Sequence, residues 1–118
     1  MSDQAGRKSF SEISRKLLSF AQYLYQIGLP DAAAAYEDFA RELDGGVTRE
    51  RLREICADVL TSLRAGPMSI SDRYVTDLDG SPDESANTRY FALIDDLRKF
   101  ARANLRREGI ARFLPGFH

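Results

Sequence analysis

The chain has 118 residues, 43% hydrophobic and 30% charged, which suits one globular domain and excludes a wholly disordered chain. A formal charge of −1 excludes the strongly basic balance of a general polyanion binder. One cysteine, Cys56, excludes an internal disulfide, and with no apolar leader or membrane-length apolar run the expected compartment is the cytoplasm.

Residues 1–8 have no periodicity and read as a mobile tail. Ser9 opens the first predicted helix, with Glu12 completing a capping-box pattern. Phe10, Ile13, Leu17, Phe20, Leu24 and Ile27 then recur at three- and four-residue steps, and Leu18, Ala21 and Tyr25 widen the stripe. Gly28 ends this helix and Pro30 suits the first turn of the next. The second helix, 30–43, places Ala32, Tyr36, Phe39, Ala40 and Leu43 on one side. The short Gly28-Leu29-Pro30 connection predicts an αα-hairpin.

Asp44-Gly45-Gly46 is a break, and Thr48 caps the third helix. Leu52, Ile55, Cys56, Val59, Leu60 and Leu63 form its apolar face, and Gly66-Pro67 stops it. A long connection follows over 67–88, acidic in its second half. Asn87 or Ser85 caps the fourth helix, whose inner face is Tyr90, Leu93, Ile94, Leu97, Ala101 and Leu105, running to about 107. Gly109 interrupts it and 109–118 forms a C-terminal tail. Outside Ile70–Val75 no stretch alternates like a strand. The prediction is an all-α single domain over 9–108, an antiparallel bundle of about four helices with a long ordered connection before the last.

No residue set announces a reaction. His118 is terminal, where a general base is poorly held. Cys56 lies among aliphatic neighbours, the setting of an inert thiol. Asp77-Leu78-Asp79-Gly80-Ser81-Pro82-Asp83 starts like a calcium loop, but Pro82 stands where that loop needs glycine and Thr88 where it needs glutamate, so no metal or other cofactor is expected. Asp95 and Asp96 diverge by about 100° around a helix and cannot share a substrate atom; Asp95 is placed to pair with Lys99. The basic run Arg98, Lys99, Arg102, Arg106 and Arg107 lacks interleaved aromatics and does not predict nucleic-acid binding. The first two helices are no DNA-reading motif, because Asp31, Glu37 and Asp38 would repel phosphate. Phe91 lies outside the core stripe, facing the connection, the tail or a partner.

Where the helical period fails, at residues 64–76, backbone-bonding Ser69, Ser71 and Asp72 alternate with the apolar anchors Met68 and Ile70. Ordered connections of this kind often carry binding. From Ile55 to Leu105 the chain resembles a family of small all-helical bacterial proteins of unknown biochemistry, similar to immunity proteins of polymorphic toxin systems. The resemblance rests on an aliphatic helix ending at Ala65-Gly66, then Met68-Ser69-Ile70-Ser71-Asp72, an acidic loop and a leucine-spaced last helix. The family pattern is Gly-Met-Gly-Ser, an aromatic or aliphatic residue, any residue, then Asp. Here Pro67 replaces the first glycine and Ser69 follows Met68 directly. The resemblance implies a binding protein without catalytic residues.

Together these readings predict a non-enzymatic protein-binding module, an immunity-type inhibitor that occludes a cognate toxin by direct contact. Asp72, Asp77, Asp79, Asp83 and Glu84 would face a basic surface, with Tyr74 or Phe91 as anchors. Two alternatives stand beside it: a homo-oligomeric scaffold or regulator (a homodimer through the wide first-helix stripe and Phe91), and a small-molecule binder with a pocket between helices lined by Tyr23, Tyr25, Tyr36 or Tyr90.

Overall fold

The computed structural model describes residues 7–8, 10–64, 75–76 and 80–113, with side chains over the parts of that range between Phe10 and Leu105. Four helices make up most of it: α1 (Ser11–Gln26), α2 (Pro30–Gly45), α3 (Arg49–Ser62) and α4 (Glu84–Phe113). Two short strands, β1 (Arg7–Lys8) and β2 (Val47–Thr48), pair antiparallel. The fold is all-α, with the predicted helix count.

Paired residues fix the packing. Phe10 N–H donates to the Leu43 carbonyl, Ser14 Oγ to the Ala40 carbonyl, and Phe20 meets Tyr36, so α1 and α2 run antiparallel. Phe10 meets Phe100, Lys16 bonds Asp96 and Arg89 bonds Tyr23, so α4 also runs antiparallel to α1. Arg51 grips Glu42 with two 2.7 Å bonds, Nε to Oε1 and Nη2 to Oε2, at one end of the α2–α3 pair. At the other end the Tyr36 and Ser62 hydroxyls share a hydrogen bond. The forked bond to Arg51 is the main reason the Glu42 carboxyl sits below the usual carboxylate range. Arg98 Nη2 reaches the Leu63 carbonyl at 2.5 Å, satisfying an orphan acceptor at the C-terminal end of α3.

The core lies where these helices converge. Phe20 is fully buried between Tyr36, at 5.0 Å and edge-on, and Tyr90, at 5.5 Å and stacked. Tyr36 continues edge-on to Phe39, and Tyr90 to Tyr23, so aromatic rings bridge α2, α1 and α4. Burial raises the Tyr36 hydroxyl to about 12. The predicted stripes of all four helices supply this core, except that Leu18 and Tyr25, expected to widen the α1 stripe, lie on its solvent side. Ser14, Val47, Val75 and Ala86 are buried too, although the sequence did not single them out.

Several boundaries differ from expectation. Arg7 and Lys8 are paired with Thr48 and Val47 rather than lying in a free tail. α1 begins one turn position later than Ser9, which lies outside the described residues. Its cap is Phe10, whose ring has no acceptor for a side-chain cap bond and whose backbone N–H donates to the Leu43 carbonyl. α2 continues through Gly45, and Gly46, at φ 97°, makes the turn. α3 ends at Ser62 with Leu63 as its cap; Gly66-Pro67 lies outside the described residues. Neither Asn87 nor Ser85 caps α4: Asp83 does, its Oδ1 accepting from Ala86 N–H at 3.0 Å. α4 also runs through Gly109 to Phe113, since an interior glycine costs only about 1 kcal/mol relative to alanine and does not forbid helix. Thr48 caps α3 as expected, accepting from Arg51 N–H at 3.2 Å.

Cys56 is fully buried, and burial raises its thiol to about 11. It should resist thiol reagents in the native protein and react only after denaturant is added. Its folded value exceeds the ordinary 9.0, so its share of stability is complete below about pH 9 and is lost as pH rises through about 11. Fast labelling without denaturant at pH 8 would place α3 against solvent and contradict the packing.

Candidate protein-binding surface

The start of α4 is built by a small polar clamp. Asn87, one turn into the helix, turns its amide toward Val75. Val75 N–H donates to Asn87 Oδ1 at 2.6 Å, while Asn87 Nδ2 donates to the Val75 carbonyl at 2.8 Å and the Asp83 carbonyl at 2.9 Å. Asp83 N–H also donates to the Val75 carbonyl, at 3.0 Å. The amide therefore imitates a paired strand, and both backbone groups of Val75 are satisfied. Val75 itself is buried, and Thr76 bridges antiparallel to Pro82. Gly80, at φ 88°, takes a left-handed conformation that favours glycine between these two legs.

This clamp fixes a surface. Pro82, Glu84, Asn87, Thr88 and Phe91 line an open, mostly apolar depression of about 470 Å³. Phe91 is 43% exposed, its ring edge-on to Tyr90 at 5.2 Å. Glu84 is exposed in the first turn, where a negative charge is favoured by the helix dipole. The neighbouring cation is held aside: Arg89 Nε donates to the Tyr23 hydroxyl at 2.9 Å and Nη1 to Ser85 Oγ at 3.0 Å. The Tyr23 bond is the main cause raising the Arg89 guanidinium above its ordinary value.

No family model, curated protein or solved structure matches this chain. The surface is therefore read from its own residues. Asp83, Glu84 and Phe91, drawn from separate sequence arguments, come together at this one place. Asp72, Tyr74, Asp77 and Asp79 lie outside the described residues. Asp83 differs from its expected role in one respect, since one of its carboxylate oxygens is engaged as the α4 cap. Glu84 and Phe91 remain exposed. Asn87 and Thr88 were not anticipated as part of the site. The signal for Asn87 was an asparagine four residues after an aspartate, which the sequence reading assigned to capping.

The other sequence candidates are apart. Tyr36 and Tyr90 are buried ring to ring against Phe20, Tyr23 is half-buried on Arg89, and Tyr25 is exposed, donating to Glu37 Oε1 at 2.9 Å. Phe20 fills the space between the Tyr36 and Tyr90 rings. A second depression of about 480 Å³ lies between the start of α1 and α4, lined among others by Phe10, Lys16, Asp96 and Phe100. Lys16 and Asp96 pair across it at 3.0 Å, so its charges are compensated internally. Asp95 pairs with Lys99 at 4.0 Å, the spacing the sequence predicted. Among the described residues no three His, Cys, Asp or Glu side chains converge as a metal site would require, and no helix is long and apolar enough to cross a membrane.

Proposed function

We propose that this chain is a non-catalytic protein-binding module, and specifically an immunity-type inhibitor that covers a basic surface of its partner. The observation that carries the reading is Phe91: a large ring, 43% exposed, on a helix start held by the Asn87 clamp, beside exposed Glu84. An aromatic anchor with an acidic rim on a rigid element is what a hot spot needs, because the ring supplies buried area at low entropy cost and the rim steers approach. The resemblance of Ile55–Leu105 to immunity proteins supports the same reading and names a cytoplasmic, toxin-directed setting for it.

The test is co-purification with the product of the adjacent gene, followed by association and dissociation rates. Phe91→Ala should speed dissociation and cost about 2 kcal/mol or more of affinity, as central aromatic anchors do. Glu84→Gln should instead slow association, with the difference shrinking at high salt. Wild-type rates in both variants would remove this surface from consideration.

A further inference from the structure

We propose that α4 pairs antiparallel with α4 of a second copy of this chain, through an outward stripe that includes Phe91, Asp95 and Arg102. The argument starts from how charge is distributed on the helix. Its cap and first half carry Asp83, Glu84, Asp95 and Asp96 against Arg89. From Arg98, at its midpoint, onward it carries Arg98, Lys99, Arg102, Arg106, Arg107 and Arg112 against Glu108. A helix dipole favours acids in the first turn and bases in the last, and that preference fades within a turn. Asp95 and Arg102 each sit about three turns from their respective ends, so the dipole does not account for them.

Both residues are exposed, and their seven-residue spacing places them on the same outward face as Phe91 and Glu84. Within one helix they stand roughly 10 Å apart along the axis, too far to neutralise each other. Among the described residues Asp95 reaches Lys99, at 4.0 Å, with 66% of its own side chain and 76% of the lysine's in solvent. Between copies the situation changes. Glu84–Phe113 is a 30-residue helix, and full antiparallel overlap of two such helices places Asp95 at the level of Arg102 of the second copy, and Arg102 at the level of its Asp95. The arrangement is two-fold and closes on itself, so it yields a dimer and not a filament. The same overlap lays the second helix across Phe91, which would shield in the free chain the ring offered to a partner.

The stripe is largely charged, so the dimer is weak and salt-sensitive. It shares Phe91 with the partner-binding reading but is tested apart from it, on the purified chain alone and through Asp95 and Arg102, which lie outside that surface's anchor pair. Sedimentation equilibrium of the full chain, up to about 1 mM protein, would be run at about 20 mM and about 0.5 M salt. The wild type should dimerise at low salt and dissociate at high salt. Asp95→Lys and Arg102→Glu should each weaken the dimer by roughly tenfold or more, since each puts two like-charge contacts into a two-fold interface. The double variant Asp95→Lys with Arg102→Glu should restore association to about wild-type strength, because every swapped charge again meets its opposite. Circular dichroism would check that the helices survive in each variant. A chain that is monomeric at all these concentrations and both salts overturns the proposal. So does a dimer that the single reversals leave unchanged, or one that the double variant fails to restore.

Discussion

Phe20→Ala should destabilise the protein by about 3–5 kcal/mol, the range for truncating a buried phenylalanine in a packed core. Phe20 has no solvent exposure and touches rings from two other helices, Tyr36 of α2 and Tyr90 of α4. Removing it opens a cavity bounded on both sides by aromatic rings, which are stiff and close poorly over a void. Part of the loss falls on α4, since Tyr90 would give up its stacked neighbour. Domains of this size hold roughly 5–15 kcal/mol in total, so much of the margin would be gone. Urea titration followed by helix ellipticity checks this. A loss under about 1 kcal/mol would mean that Phe20 does not occupy the junction of the three helices.

Asn87→Ala should cost about 2–3 kcal/mol, an unusual size for a half-buried polar residue on the first turn of a helix. Three hydrogen bonds depend on its amide, and Val75 N–H loses its acceptor at 2.6 Å. The Val75 carbonyl keeps the bond from Asp83 N–H, so the damage concentrates on one backbone donor beside a buried side chain. Asn87→Asp discriminates further: its second oxygen would face the Val75 and Asp83 carbonyls, where Asn87 now donates. A carboxyl so placed prefers its proton in the folded state. Its folded pKa therefore lies above the unfolded value near 4, and the variant should be most stable below about pH 4 and lose stability as pH rises. Thermal melts of both variants at pH 4 and pH 7 give the answer. An Asn87→Asp protein that is more stable at pH 7 than at pH 4, relative to wild type, would contradict the clamp.

The helices were legible because their signals are local. Apolar spacing near 3.6 marked all four faces, and the Gly28-Leu29-Pro30 turn and Thr48 cap are read from a few neighbouring residues. What escaped was set by partners distant in sequence. Ser14 looks like a solvent residue until α2 brings the Ala40 carbonyl within 2.7 Å. β1 and β2 are two residues each, too short to carry a period, and pair because the α1–α2 hairpin returns Val47 to the residues before α1. The α4 cap was misplaced because Ser85, Asn87 and Asp83 are all competent, and the choice is made by Val75 occupying the Asn87 amide. Of the candidate surface, Phe91 was visible as an aromatic residue off its stripe, whereas the clamp that holds it was not.

Tyr25 bonds Glu37 across 12 residues of sequence, while Arg89 reaches Tyr23 across 66. Closing the longer loop costs roughly 1.5 kcal/mol more in chain entropy. The α1–α2 hairpin can therefore assemble well before α4 docks, and on a ribosome it emerges first. For that interval one side of Phe20 has no cover, because Tyr90 has yet to be made. A nascent chain stalled short of residue 90 would present that bare ring to chaperones, and its binding to them should fall once Tyr90 clears the exit tunnel.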